Sequence, residues 1–278
     1  MRADLALVEQ GLCPSRAQAQ TLIEQGKVLL RTGFNQQATP VKKASQQVEP
    51  FMTLELVNSE ATAFVSRGGL KLQHALDHTG VKVNNRKCVD LGQSTGGFTD
   101  CLLKNGAASV VGVDVGRDQL HLSLKNNPSV LSLEGINLYK ADMEQLLKHI
   151  SDVRPDFQPF EFAVADLSFI SLRKVLPNIN QLLPDTCEMI FLVKPQFEVG
   201  PEHIGKNGLV RNLESLVSEL ENNIKDCCAE LNWQVKDFFT CGLKGGDGNQ
   251  EYFVHAEKTK SAANPSTGEP KQHDQHQF

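Results

Sequence analysis

The sequence predicts an α/β protein: a mostly parallel, doubly wound sheet with an antiparallel last strand, preceded by a small α+β unit. Two observations support this fold class. Short apolar segments alternate with helical stretches from residue 62 onward, and one segment leads through a glycine-rich turn directly into a helix. The chain has 278 residues, enough for one large and one small domain. We place these domains at residues 1–60 and 61–257, followed by a polar tail at 258–278 that we expect to be disordered.

Residues 1–60 predict two short helices followed by a small sheet. Leu5, Leu7 and Val8 indicate a first helix, and Ser15 with Gln18 forms a capping-box start for a second helix. The predicted strand segments are 27–30 and 48–57, with a turn at 32–33.

Charge is distributed unevenly along the chain. The net charge is -5, but residues 1–48 carry six Lys and Arg against three Asp and Glu. Because contacts to nucleic-acid phosphates need Lys and Arg, this basic head is the part of the chain suited to bind a nucleic acid.

A longer motif covers the second helix and the first strand. Residues 15–28 match the pattern S-R-x-x-A-x-x-L-I-x-x-G-x-V, which resembles the alpha-L RNA-binding fold named after ribosomal protein S4. The resemblance implies an RNA partner, while a helical hairpin that does not bind RNA stays open as the alternative. The candidate RNA-binding residues are Arg2, Ser15, Arg16, Lys27 and Arg67.

Composition argues against membrane proteins and metal-binding proteins. The longest apolar segment, near 189–193, is too short to span a bilayer, and no charged-then-apolar leader opens the sequence, so we expect a cytoplasmic protein without a membrane partner. The seven cysteines are an odd number and none form C-x-x-C, which indicates reduced, mostly buried thiols rather than zinc ligands. His74 and His78 lie one helical turn apart without a third ligand, so we expect no metal site.

The predicted sheet consists of seven apolar segments. The first five are separated by helical stretches and are expected to run parallel. The last two are joined by the glycine-rich turn 242–250, which is too short for a crossover helix, and are expected to form an antiparallel hairpin. The segments are 88–91, 110–115, 130–133, 162–165, 189–193, 235–241 and 252–254.

Residues 89–100 read V-D-L-G-Q-S-T-G-G-F-T-D, a strand that turns through glycines into a helix. Such a turn places the first amide hydrogens of the helix against a ligand, although a turn that only joins strand to helix stays open. The spacing G-x-x-x-G-G is looser than the G-x-G-x-x-G of dinucleotide sites, which favours a nucleoside without phosphates, foremost S-adenosylmethionine. The candidate cofactor-binding residues of this turn are Asp90, Gly92, Ser94, Gly96, Gly97 and Phe98.

Polar residues at the ends of the next strands extend the candidate cofactor site, because ligands of open α/β sheets bind beyond the carboxyl ends of the strands. Asp114 ends the second strand of the sheet, where a carboxylate can accept hydrogen bonds from ribose hydroxyls; a turn-forming aspartate is the alternative. Asn137 and Asp142 follow the third strand and are candidates for the adenine side, or solvated loop residues.

Four charged residues are expected at the same edge of the sheet. Asp166 and Lys194 directly follow the fourth and fifth strands, and opposite charges at adjacent strand ends are expected to pair, if only as a structural ion pair. Glu251 begins the antiparallel last strand, whose start lies at that edge. Lys71 lies near the start of a predicted helix. A cation there opposes the helix dipole, which indicates a role other than stability; an ordinary exposed lysine is the alternative.

Six motifs follow the alpha-L head in order: SRGGLKL, GQSTGGFTDCLL, VDVG, ADLSFISL, VKPQFEVG and GNQE. Together they resemble the TlyA (hemolysin A) family of ribosomal RNA 2′-O-methyltransferases, related to the FtsJ methyltransferases, over about residues 1–256. The resemblance implies a Rossmann-like class I methyltransferase sheet, S-adenosylmethionine as cofactor, and cytidine riboses of small- and large-subunit ribosomal RNA as substrates. It also implies a catalytic tetrad, which falls on Lys71, Asp166, Lys194 and Glu251. Gln93 departs from the family, which usually has a small residue there, and we expect it to affect packing of the methionine part of the cofactor.

The chemistry of methyl transfer to a ribose hydroxyl matches this residue set. The reaction is an in-line displacement, which needs alignment of oxygen, methyl and sulfur and an acceptor for a proton. We expect Lys194 to be that base, because partial burial and the second cation of Lys71 would favour its neutral amine. Asp166 and Glu251 would hold the amines and the hydroxyl in place.

Four other functions fit the sequence less well. An amino-group methyltransferase would show Asn or Asp followed by Pro-Pro and an aromatic residue after the fourth strand, where residues 166–169 read D-L-S-F. A base-carbon methyltransferase would need a cysteine after a proline, and the chain has only the reverse order at Cys13 and Pro14. A membrane-lysing protein would need an amphipathic or transmembrane segment. An RNA-binding protein with an inactive catalytic domain stays open, although the four charged residues argue against it.

Overall fold

The computed structural model describes residues 1–32, 38–56 and 63–259. The predicted turn at 32–33, the end of the strand region at 57 and the domain boundary at 60–61 lie partly or wholly outside these residues, as does the predicted tail from 260 onward. The first residue of the predicted tail was wrong. Lys258 belongs to the last strand, and its ammonium donates to the carbonyl oxygens of Asn180 at 2.8 Å and Leu183 at 2.9 Å.

The N-terminal unit consists of two helices and a three-stranded antiparallel sheet. Its elements are α1 (Ala3–Glu9), α2 (Arg16–Glu24), β1 (Val28–Arg31), β2 (Thr39–Pro40) and β3 (Thr53–Leu56), with strand order β2-β1-β3. The predicted cap is present, because the Ser15 hydroxyl accepts a hydrogen bond from the Gln18 amide at 3.3 Å. Leu7, Leu22 and Val28 are buried in the core between the helices and the sheet.

Residues 63–259 form the larger α/β unit. Its strands are β4 (Lys87–Leu91), β5 (Ser109–Asp114), β6 (Val130–Glu134), β7 (Phe162–Ala165), β8 (Cys187–Val193), β9 (Trp233–Thr240) and β10 (Tyr252–Lys258). Its helices are α3 (Arg67–Thr79), α4 (Gly97–Lys104), α5 (Leu122–Lys125), α6 (Met143–Val153), α7 (Leu172–Leu182), α8 (Pro195–Glu198) and α9 (Leu213–Glu230). These bounds match the predicted strands closely. The second predicted strand ends at Asp114 rather than Val115, which is exposed.

The seven strands of this unit have the order β6-β5-β4-β7-β8-β10-β9. Strands β4 to β8 pair in parallel, and β10 pairs antiparallel with both β8 and β9. The predicted fold class is therefore confirmed. Chain order reverses between β4 and β7, which makes the carboxyl ends of these two strands the place where an open α/β sheet binds ligands. Tyr252, at the start of β10, pairs with Val193 at the end of β8, so Glu251 lies at the same edge.

Both faces of the sheet are covered, because successive strand residues point to opposite sides. Val89 and Leu91 pack into the cluster that includes residues of α6, α7 and α9. Cys88 and Val110 pack on the other side, with residues of α3 and α4. Asp90, two residues after Cys88 on β4, is a buried carboxylate on that second face.

All seven cysteines are free, and six of them are buried, as predicted. Burial raises the pKa of the Cys101 thiol, which follows the glycine-rich turn, so this cysteine is not a ready nucleophile. None of the helices in the described ranges is both long and apolar enough to cross a membrane. The same ranges contain no group of three or more His, Cys, Asp or Glu positioned to hold a metal ion.

Candidate active site

The glycine-rich turn brings the backbone of β4 against the end of β7. Gly92 has a φ of +85°, in the left-handed region, and a Cβ at this position would lie 2.5 Å from the carbonyl oxygen of Asp166. Only glycine permits both the conformation and the close approach. Further along the turn, a Cβ at Gly97 would lie 2.2 Å from the Ser66 hydroxyl, so the first turns of α3 and α4 also meet here.

A cavity of about 540 Å³ opens beyond the carboxyl ends of β4 and β5. Asp114 lines this cavity at the end of β5, and its carboxylate accepts hydrogen bonds from the amides of Ser94 at 2.8 Å and Gly116 at 2.6 Å. Asn137 lies on the opposite side, after β6, with its side-chain oxygen accepting from the Tyr139 amide at 3.0 Å. These contacts fix both polar side chains at the wall of the cavity.

The structure places six of the nine predicted cofactor-binding residues at a cavity. Gly92, Ser94, Asp114 and Asn137 line the 540 Å³ cavity, and Gly97 and Phe98 line the neighbouring one. Three of the predicted residues line neither cavity: Asp90, Gly96 and Asp142. Asp142 instead caps helix α6, because its carboxylate accepts from the Gln145 amide at 3.1 Å.

Asp90 is fully buried, and therefore cannot reach a ligand in either cavity as the sequence suggested. Its carboxylate accepts a hydrogen bond from the Thr99 hydroxyl at 2.7 Å. Burial raises the pKa of Asp90 to about 7, although the bond from Thr99 opposes that change. Gly96 likewise faces protein, since a Cβ there would lie 2.3 Å from the side chain of Leu124.

A second cavity, of about 280 Å³, adjoins the first at Gly92, Ser94, Asp166 and Ser168, which line both. Lys71, Asp166 and Lys194 line this second cavity. Glu251 does not line it but bonds directly to Lys71. The structure thus brings together the four charged residues that the strand-edge argument had gathered.

The four charges form two separate ion pairs. Lys71 Nζ lies 2.5 Å from Glu251 Oε2, and both side chains are buried. Lys194 Nζ lies 2.6 Å from Asp166 Oδ1 and donates a hydrogen bond to the Ser168 hydroxyl at 2.7 Å. The expected pairing of the strand-end charges Asp166 and Lys194 is present. Each lysine is therefore paired with its own carboxylate. The sequence analysis had considered only the effect of the Lys71 cation on the Lys194 amine.

The turn between β9 and β10 is held by a buried asparagine. Asn249 donates to the carbonyl oxygen of Gly208 at 2.9 Å and accepts from the Val210 amide at 2.9 Å. Asp247 in the same turn accepts from the Gln196 side chain at 2.8 Å, which links the turn to α8. These bonds fix the approach of the chain to Glu251.

Residues that the sequence reasoning missed surround the tetrad. Lys244 lines the smaller cavity together with Arg67. The Arg67 guanidinium donates to the Lys244 carbonyl oxygen at 3.4 Å. Phe169 has a φ of +65° and is 91% exposed, with its ring centroid 5.6 Å from that of Phe197. The sequence did show an aromatic residue three positions after the strand-end Asp166. It did not show that this ring is exposed, because the exposure follows from the conformation of the turn.

The predicted RNA-binding residues do not lie in one place. Arg2 and Arg16 both contact the buried Asp4, with Nε atoms 2.9 and 2.8 Å from its carboxylate oxygens. Ser15 is the cap of α2, and Lys27 is half-buried before β1. Arg67 instead belongs to the smaller cavity of the α/β unit.

Comparisons with known proteins agree with this architecture. A family model described as FtsJ-like methyltransferase matches residues 64–258, and one described as S4 domain matches residues 1–30. The Mycobacterium tuberculosis 16S/23S rRNA (cytidine-2′-O)-methyltransferase TlyA is 38% identical over 253 residues, which cover 91% of this chain and 88% of the relative. Hemolysin A of Brachyspira hyodysenteriae is 34% identical over 92% of this chain and 99% of its own length. A solved structure from Streptococcus thermophilus, described as a hemolysin, superposes with a TM-score of 0.69 at 35% identity and covers 94% of this chain and 89% of its own.

Proposed function

This chain belongs to the FtsJ-like methyltransferase family, and from that premise we propose that it methylates the 2′-hydroxyl of a cytidine ribose in ribosomal RNA, with S-adenosylmethionine as methyl donor. The observation that supports this most strongly is the convergence of two ion pairs, Lys71–Glu251 and Lys194–Asp166, beside the glycine-rich turn. Burying ion pairs costs desolvation free energy, so two of them at the ligand-binding edge of the sheet support a functional role.

The 540 Å³ cavity fits a nucleoside methyl donor. Asp114 presents a fixed carboxylate where ribose hydroxyls would be bound, and Gly92, where the chain leaves β4, lines the same cavity. Gly92, Ser94, Asp114 and Asn137 would hold the donor. When bound, S-adenosylmethionine supplies an electrophilic methyl group; the remaining steps belong to the residues of the chain.

Lys194 is the base in this proposal. Its Nζ already donates to a hydroxyl, that of Ser168, at 2.7 Å, so the cavity can hold a hydroxyl oxygen at hydrogen-bond distance from the amine. In the reaction Lys194 would have to be a neutral amine: the ribose 2′-hydroxyl would take such a position, donate its hydrogen bond to Nζ, and pass its proton to Nζ as the oxygen attacks the methyl group. Asp166, 2.6 Å from the amine, orients it at the place where the two cavities meet.

Lys71 and Glu251 act as a buried pair at the inner wall of the smaller cavity. Glu251 fixes the Lys71 ammonium, which lines the cavity and is placed to stabilise negative charge developing on the attacking oxygen. Arg67 and Lys244 lie at the same cavity and suit the phosphates that flank a target ribose.

Ribosomal RNA is favoured as substrate by two similarities. The Mycobacterium tuberculosis relative is a 16S/23S rRNA (cytidine-2′-O)-methyltransferase, and residues 1–30 match the S4 domain. An RNA-binding unit ahead of the methyltransferase unit would bring structured RNA to the cavity. With this substrate we propose a cytoplasmic location and ribosomal RNA or ribosomal subunits as partners.

The test is methyl transfer by the purified full chain from labelled S-adenosylmethionine to ribosomal RNA and to ribosomal subunits that lack the modification. Mass spectrometry of RNA fragments should locate the label on the 2′-oxygen of a cytidine. Lys194→Ala should abolish transfer, and Lys148→Ala, which alters an exposed lysine of α6, should leave it unchanged. Binding of donor and RNA without transfer would instead support an RNA-binding protein with an inactive catalytic unit, and near-normal transfer by Lys194→Ala would rule out Lys194 as base.

A membrane-lysing activity is the second candidate, because the Brachyspira hyodysenteriae relative is named hemolysin A. Leakage of a dye from liposomes at low protein concentration tests it directly. Leakage that persists in Lys194→Ala would show a lytic activity independent of the methyltransferase site.

A further inference from the structure

Three neighbouring strands place Asp90, Gly112 and Ser132 side by side. Asp90 of β4 pairs with Gly112 of β5, and Gly112 pairs with Ser132 of β6. Residues in register on adjacent strands point to the same face of a sheet, here the face covered by α4. The middle residue has no side chain, which leaves a groove between the carboxylate and the hydroxyl.

The side chain of Gln93 fills this groove. Gln93 belongs to the glycine-rich turn, is 3% exposed, and its Cδ would lie 1.9 Å from a Cβ placed on Gly112. Any other residue at position 112 would therefore displace the glutamine. The long side chain at 93 and the missing one at 112 are complementary.

Four side chains form a continuous hydrogen-bonded series across the groove. The Ser132 hydroxyl donates to Gln93 Oε1 at 2.6 Å, Gln93 Nε2 donates to the Thr99 hydroxyl oxygen at 2.9 Å, and the Thr99 hydroxyl donates to Asp90 at 2.7 Å. Thr99 has a single hydroxyl proton, which goes to Asp90, so its oxygen must accept from the amide nitrogen. The amide orientation of Gln93 is thereby fixed.

The backbone on both sides of Gln93 forms the walls of the two cavities. Gly92 and Ser94 line both of them. Ser94 has a φ of +48°, a strained conformation for a serine that persists only where its surroundings hold it. Asp114 holds the Ser94 amide, and the Gln93 side chain ties the same turn to the sheet below and to α4.

We propose that Gln93 is a positioning residue for the methyl donor: its side chain lies over Gly112, is bonded to Thr99 and Ser132, and fixes the turn that lines both the donor cavity and the smaller cavity with the tetrad. This inference rests on the proposed function for the identity of the donor. It makes the expected effect of Gln93 on packing of the methionine part an indirect one, because the side-chain amide is bonded to Thr99 and Ser132.

The experiment uses three variants of the full chain: Gln93→Ala, Gly112→Ala and the double variant. Gln93→Ala should raise the dissociation constant for S-adenosylmethionine about tenfold in calorimetry and raise the KM for the donor by a similar factor, with kcat changed less than about twofold. Gly112→Ala alone should weaken donor binding at least as much, because its methyl group displaces the glutamine. The double variant should be no weaker than Gln93→Ala, because the new methyl group then occupies space that the glutamine has left.

Amide hydrogen exchange of the free protein provides a readout that needs no donor. Both single variants should accelerate exchange of the amides of residues 92–97 while leaving α7 and α9 protected. Failure of the wild-type chain to bind S-adenosylmethionine would count against the proposed function, whereas the exchange result would still decide the role of Gln93.

Asn180→Ala is the matched control for general loss of stability. It removes the 2.8 Å hydrogen bond to the Trp233 indole in the same unit, and should lower the melting temperature without changing donor affinity or exchange at 92–97. The proposal is overturned if Gln93→Ala leaves both donor affinity and exchange at 92–97 within twofold of wild type, or if the two single variants are simply additive.

Discussion

Lys194 Nζ lies 2.6 Å from Asp166 Oδ1, although the two residues are separated by a helix and come from different strands. Each directly follows a buried strand, and β7 and β8 are parallel neighbours, with Ala165 opposite Phe191. Parallel pairing therefore places the Lys194 amine and the Asp166 carboxylate at the same edge of the sheet.

Removing the charge of Asp166 while keeping its shape should slow catalysis more than binding. We expect Asp166→Asn to lower the single-turnover rate of methyl transfer by roughly 100-fold, because the amine at residue 194 loses the group that orients it. Binding of donor and RNA should stay within about threefold. Ser168→Ala, which keeps the ion pair and removes the other contact of the amine, should cost only a few-fold; an equal loss in both variants would contradict the orienting role of the carboxylate.

The Lys71–Glu251 pair should be important for stability, because both partners are buried. Glu251→Gln leaves the Lys71 ammonium without a counter-charge, and should lower the free energy of unfolding by about 3 kcal/mol in urea denaturation. The matched surface pair is Glu221 with Lys225 on α9, where Glu221→Gln should change the free energy by less than about 0.5 kcal/mol. Similar losses in both variants would show that burial does not make the Lys71–Glu251 pair more important for stability than the surface pair.

The exposed ring of Phe169 is suited to stack on a base of the RNA, because it lies beside Ser168 at the 540 Å³ cavity and also lines a neighbouring groove with Phe197. Phe169→Ala should raise the KM for RNA about tenfold, since base stacking on an aromatic side chain is worth about 1–3 kcal/mol. Phe169→Trp should preserve RNA binding, and donor affinity should be unaffected in both. Val153→Ala, at another exposed apolar residue, is the control; an unchanged KM in Phe169→Ala would exclude stacking at this ring.

Asp4 should make the N-terminal unit sensitive to acid. The bonds from Arg2, together with those from Gln20 and Arg16, hold the pKa of this buried carboxyl well below its usual range. A lowered folded-state pKa contributes stability above the unfolded-state value of about 4 that is lost as pH falls through the folded-state value. Asp4→Asn should therefore destabilise the chain by about 2 kcal/mol at pH 7 and by progressively less below pH 4, measured by denaturation at each pH. A difference that did not shrink in acid would contradict the ionic role of Asp4.

The positions of three of the four charged residues were predictable because they depend on the order and direction of the strands. Asp166, Lys194 and Glu251 each adjoin a strand boundary, and the direction of each strand fixes the edge at which its neighbour emerges. The pairing of Asp166 with Lys194 was predictable from their adjacent strand ends, whereas that of Lys71 with Glu251 was not, since it depends on side-chain reach between α3 and the start of the last strand. The sequence also did not separate Asp90 from Asp114. The register places Asp90 opposite Gly112, two residues before the end of β5, where it is buried, whereas Asp114 ends β5 and lines the cavity.

The raised pKa of Asp90 leads to a pH dependence opposite to that of Asp4. Burial raises the folded-state pKa to about 7, so between about pH 4 and pH 7 the folded chain retains a proton that the unfolded chain releases. Stability contributed by this group is therefore present below pH 4 and is lost as pH rises to 7. Asp90→Asn keeps the shape and the acceptor for Thr99 but cannot ionise, so its stability relative to wild type should increase by about 2–4 kcal/mol from pH 4 to pH 8.

Thr99→Val provides the counterpart to this prediction. It removes the hydrogen bond that favours the ionised carboxylate, which should raise the pKa of Asp90 further and extend the loss of stability to higher pH, so that the total loss exceeds that of wild type. Denaturation of the three proteins across pH 4 to 8 compares these losses directly. Parallel curves for wild type and Asp90→Asn would mean that Asp90 ionises alike in the folded and unfolded chains, and that its burial under α4 does not govern its protonation.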